Sequence, residues 1–65
     1  MTHKLETLAT ALNAYQAAVR SSDPHAVPRA ESRLMDACLA CGASFDESSF
    51  EEWAAVRVAA WLAAA

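Results

Sequence analysis

Isoleucine is absent from this chain, glycine occurs once, and nowhere do Val, Thr or aromatic residues alternate with polar ones. Strands draw on that alternation, so no β-structure is expected, and the abundant Ala, Leu, Glu and Arg favour helix throughout. Positive charge is also scarce. Five Lys and Arg stand against eight Asp and Glu, for a formal charge of −3. That balance leaves no electrostatic footprint for a phosphate backbone, and nucleic acid is not expected as a partner. No apolar run reaches the roughly 20 residues that span a bilayer. The first residues also lack a charged start, an apolar core and a small-residue cleavage site. A cytoplasmic protein without membrane contact is expected. The single Lys beside four Arg, with the alanine excess, points to a GC-rich coding sequence of the bacterial or phage kind and carries no functional weight.

Catalytic signatures are missing as well. No G-x-x-x-x-G-K, G-x-S-x-G or H-E-x-x-H occurs, and no Ser, His and Asp set is implied by local spacing, so neither an enzyme nor a cofactor is expected. The 65 residues allow one domain. Chains of this size bury only about 60% of their unfolded surface and are marginal without a staple or a second subunit. The apolar fraction is 55%, but 17 of those residues are alanine, which buries little area, so large core side chains are few.

What is present reads as three helices separated by short breaks, spanning about 3–21, 24–41 and 47–64. The first starts near Thr2 or His3, with Thr2 as N-cap, and carries Leu5, Leu8, Leu12, Tyr15 and Val19 at spacings of three and four, a seam for packing along another helix. Ala9 and Gln16 flank that seam. Ser21-Ser22-Asp23-Pro24 then breaks the chain, with Asp23 as the expected N-cap of helix two and Gly42 as its stop. Pro28 is the misfit; it either distorts the first turn or marks where regular helix begins. Val27, Ala30, Leu34, Ala37 and Cys41 repeat the seam with Cys38 at its edge, so the first two segments form an antiparallel helical hairpin. Met35 and Leu39 lie on a second edge and require another cover. Helix three begins between Ser44 and Ser49, where several capping boxes overlap and Phe45 and Phe50 could staple a turn capped by Asp46. From Trp53 to Ala65 only Arg57 is charged, so this helix is apolar on all sides and needs burial on more than one. The fold class is therefore all-α, a hairpin plus a third helix in a small three-helix bundle. A homodimer supplies the cover that two shorter helices cannot, with helix three or the Met35 and Leu39 edge at the two-fold.

The most specific constellation is Trp53, Arg57 and Trp61 at i, i+4 and i+8, with Phe50 at the head of the same face. Trp and Arg are enriched in binding hot spots, and a guanidinium between indoles stacks on either. Two readings stand. The tryptophans fill a small core while Arg57 snorkels to its edge and pairs with a carboxylate, or the set contacts a partner together with Val56, Leu62, Met35 and Leu39. Val58, Ala59 and Ala63 extend the apolar stripe that an isolated chain would expose.

Cys38 and Cys41 form a lone C-x-x-C that is half of a zinc site, which His25 or a symmetry mate would have to complete. They stand near a helix C-terminus, where the dipole raises rather than lowers a thiol pKa, so redox chemistry is disfavoured and buried structural thiols are the expectation. His3 and His25 read as exposed helix-start residues. Asp46, Glu47, Glu51 and Glu52 read as a solvated acidic cap, with mimicry of nucleic acid or docking on a basic patch as the lesser alternative. The ending Trp61-Leu62-Ala63-Ala64-Ala65 resembles the apolar Leu-Ala-Ala endings read by bacterial proteolytic tagging systems, although a fraying Ala-rich helix end accounts for it too.

These observations favour a small non-enzymatic module that binds a protein partner stoichiometrically, as adaptor, inhibitor or regulatory subunit, through the apolar third helix. A zinc-dependent helical dimer held by Cys38 and Cys41 is the alternative. A DNA-binding three-helix unit ranks below both, because helix three offers Arg57 alone to bases and phosphates.

Overall fold

Eighteen consecutive residues without Gly or Pro, Lys4–Ser21, make up α1, the longest element of the computed structural model, which describes residues 3–64. Glu6 in its first turn and Arg20 in its last match the helix dipole. Thr2 lies outside the described residues, and the cap is His3, whose Nδ1 accepts a hydrogen bond from the Leu5 amide at 3.1 Å. The far end closes on Ser22 in the left-handed region at φ 62°.

α2 spans Ala26–Ala40 and begins two residues later than expected. Asp23 does not cap the helix itself. Its carboxylate accepts from the His25 amide at 2.9 Å and its carbonyl from the Ala26 amide at 3.2 Å, which folds a turn ahead of the helix. His25 occupies the N-cap position without a side-chain bond. Pro28 is the third residue of α2, inside the first turn, where an amide has no intrahelical acceptor to lose, so the helix starts ahead of it without disruption. The C-terminus is a Schellman closure. The Gly42 amide donates to the Leu39 carbonyl at 3.1 Å, the Ala43 amide to the Cys38 carbonyl at 3.0 Å, and Gly42 takes φ 103°.

Among the overlapping capping signals before the third helix, Ser49 prevails. Its Oγ accepts from the Glu52 amide at 3.2 Å, and α3 runs over Phe50–Ala64. The staple around Asp46 does not form, because Phe45 is 80% exposed. Asp46 instead donates its amide to the Ser44 Oγ at 3.2 Å, in a tight turn of the connecting loop.

α1 and α2 form the expected antiparallel hairpin and share the most extensive contact; α3 lies across both and touches α1 more than α2. The start of α3 sits beside Tyr15 and Leu34, and its last turn reaches back to His3. The core is Leu8 and Leu12 from α1, Leu34, Ala37 and Cys38 from α2, and Ala54 and Val58 from α3. Leu5, Tyr15, Phe50 and Trp53 are half-buried against it.

Three seam assignments change. Val19 is 52% exposed and Ala18 is buried in its place, because α3 begins near Tyr15 and leaves nothing over the last turn of α1. Cys38, expected at the edge, has no exposed surface, since α3 closes over it. Val58, expected in the exposed stripe, belongs to the core.

Candidate functional site

The residues proposed to meet a partner lie mostly on α3, and the helix distributes them around its axis. Each four-residue step advances roughly 40° past a full turn, so Trp61 stands about 80° round from Trp53. The two indoles cannot sandwich one guanidinium. The Arg57 Cζ lies 3.8 Å from the Trp53 ring centroid, and its Nη1 donates to the Trp53 carbonyl at 3.4 Å. Trp61 turns toward α1 and stacks on His3, with ring centroids 5.6 Å apart and planes inclined by 12°. Both tryptophans are half-buried.

Arg57 is exposed, and among the described residues no carboxylate pairs with it. The expected ion pair is unnecessary in water; a stack on Trp53 and a carbonyl acceptor satisfy a charge that never leaves solvent. The turn away from the core carries Val56 at 60% exposure, with Ala59, Ala60 and Ala63 exposed beside it. Leu62, 61% exposed, lies on the opposite flank of the helix. At the head of the outer face, Glu47, Ser49, Glu52, Trp53 and Val56 line a groove of about 200 Å³. Its lining is mostly polar, with Glu47 and Glu52 as an acidic rim beside Trp53 and Val56, a combination that spacing alone does not reveal.

Met35 and Leu39 do not extend this surface. Both are half-buried, and Met35 lines a separate cleft of about 300 Å³ with Tyr15, Leu34 and Phe50, at the start of α3.

The cysteines stitch helices rather than share a site. The Cys38 thiol donates to the carbonyl of Phe50, the first residue of α3, at 3.5 Å, and the Cys41 thiol to the carbonyl of Lys4, the first residue of α1, at 3.6 Å. His25 stands at the opposite end of α2, roughly 20 Å along the axis from Cys38. Among the described residues no three His, Cys, Asp or Glu side chains group as a metal site, so one chain cannot complete the zinc set of Cys38, Cys41 and His25. Burial, and then the neighbouring Cys41, push the Cys38 thiol above its ordinary pKa; the Arg57 charge opposes this and Glu47 adds to it. A raised thiol is a poor nucleophile and a poor ligand.

No helix among the described residues is long and apolar enough to cross a membrane. Comparison with models of known protein families, with curated proteins and with solved structures finds no match, and the chain's function is to be read from its own residues.

Proposed function

We propose that this protein is a non-enzymatic binding module that engages a protein partner through the outer face of α3. The observation that carries the reading is the uncovered apolar turn of that helix, with Val56 60% exposed between the Trp53–Arg57 stack and a row of exposed alanines. Exposed apolar surface of this kind is stabilised by association, at roughly 25 cal/mol for each Å² removed from water. Trp53 and Arg57 are preorganised by their mutual stack, which reduces the ordering cost of contact. The acidic rim of Glu47 and Glu52 favours a partner segment with an apolar anchor flanked by basic residues. The module acts stoichiometrically, as adaptor, inhibitor or regulatory subunit, and assembles in the cytoplasm as a homodimer.

Deleting α3 is a poor test, because Ala54 and Val58 belong to the core. Val56→Glu is better, since it alters an exposed position and leaves the fold in place. Quantitative affinity purification from the host with wild-type and Val56→Glu baits should show one specific partner depleted at least tenfold from the variant. Equal recovery of every retained protein by both baits refutes the α3 reading.

A further inference from the structure

Cys38 and Cys41 stand one turn apart at the end of α2, and that turn is tightened. The Cys41 amide donates to the Cys38 carbonyl at 3.0 Å as well as to the Ala37 carbonyl at 3.2 Å, and the Gly42 amide follows with the Leu39 carbonyl at 3.1 Å. Bonds that span three residues bring the side chains at i and i+3 toward the eclipsed position. Helical rise sets the two Cα atoms about 5–6 Å apart, inside the roughly 4.4–6.8 Å window that a disulfide bridges. Both thiols are free, and they differ in access. Cys38 has no exposed surface, whereas Cys41 is half-buried beside Gly42, where nothing lies within 4 Å of the place a Cβ would take.

In the reduced protein the two thiols turn apart, Cys38 to the Phe50 carbonyl and Cys41 to the Lys4 carbonyl. Among the described residues these are the only hydrogen bonds that join one helix to another; apolar packing and the His3–Trp61 stack supply the rest. Cys38 also fills the junction beneath the start of α3.

We propose that Cys38 and Cys41 are a redox-sensitive pair, closed into a disulfide within α2 by a low-molecular-weight disulfide, and that closure releases the start of α3. Cys41, the accessible thiol, attacks the oxidant as its thiolate; a mixed disulfide forms on Cys41 and one thiolate leaves. Cys38 then attacks the Cys41 sulfur as its thiolate, forms the internal bond and expels the second thiolate. The pair loses two electrons, the oxidant is reduced to two thiols, and the two cysteine protons end on those thiols. Burial, and then Cys41, hold the Cys38 thiol protonated, which fits it to the second, intramolecular step rather than the first. Closure removes both S–H donors and draws the Cys38 sulfur out of the junction, so α3 loses its hydrogen bond to α2 and part of the packing under its first turn. In a reducing compartment the resting form is the dithiol, and the disulfide is transient.

The test exposes the full chain to excess oxidised glutathione and reads intact mass without reductant, with circular dichroism to verify folding. Wild type should lose two hydrogens, keep no adduct and remain a single chain. Cys38→Ala should stop with one glutathionyl group on Cys41, because nothing resolves it. Amide exchange read by mass should be several-fold faster at Trp53 and Ala54 in the oxidised wild type, reversed by dithiothreitol, while Leu34 stays slow. Wild type that keeps both thiols, that halts at the glutathionyl adduct or that links two chains overturns the pair. A disulfide that leaves exchange at Ala54 unchanged, or speeds Leu34 equally, overturns the release of α3.

Discussion

Leu34 is 2% exposed and lies where all three helices meet, so Leu34→Ala probes the core most directly. The change removes three carbons from a packed site, about 2.4 kcal/mol at 0.8 kcal/mol for each buried carbon. The cavity left behind adds to that figure, because a site packed from three helices relaxes only in part, and the total falls within the roughly 2–5 kcal/mol range of such truncations. A domain of this length has on the order of 3–10 kcal/mol in all. Leu34→Ala should therefore lower the melting temperature by more than about 10 °C or unfold the chain outright. Urea denaturation followed by circular dichroism measures it, at one protein concentration because self-association is linked to stability. Val19→Ala, at a position 52% exposed, is the paired control and should cost less than about 0.5 kcal/mol. Equal costs at the two positions, or a loss below about 1 kcal/mol at Leu34, would refute the arrangement of the core.

Ser49→Ala removes the acceptor for the Glu52 amide and should cost about 1 kcal/mol, read as a lower urea midpoint with an unchanged slope. Gly42→Ala and Ser22→Gly should shift melting in opposite directions: the first strains a residue at φ 103°, about 1 kcal/mol, and the second relieves a side chain held at φ 62°. The raised pKa of Cys38 means that the folded chain keeps a proton the unfolded chain releases above about pH 8.5. That contribution is complete below this pH and is lost as pH rises further, so stability should fall with pH in wild type and fall less steeply in Cys38→Ala. Iodoacetamide should modify the half-buried Cys41 of the native protein well before Cys38, by mass spectrometry of timed samples.

The hairpin was legible in the spacing of Leu8, Leu12, Leu34 and Ala37, because apolar periodicity reports which side of a helix meets its neighbour. Gly42 ended α2 as read, since the left-handed closure there favours a glycine. Axial coverage was hidden. Val19 continues the seam, yet its burial depends on where α3 begins, a tertiary fact with no local signal. The boundaries around Asp23 and Ser49 were ambiguous for a related reason: Ser and Asp cap helices and fold turns by the same hydrogen bond to a nearby amide. At the candidate site, the apolar character of α3 was plain from its composition. The partition of its aromatics was not, because the partner of Trp61 is His3, at the other end of the chain.

That stack also bears on the order in which the protein takes shape. Contacts within the α1–α2 hairpin close modest loops, whereas joining residues 3 and 61 closes one almost as long as the chain, and loop-closure entropy grows with that length. The clasp between His3 and Trp61 then belongs to the final step of folding, after α3 has settled on the hairpin through Ala54 and Val58. It is also the first link to open. Amide exchange should accordingly be graded along α3, slow near Ala54 and fast near Trp61, so that the helix peels from its last turn while the hairpin beneath it stays closed.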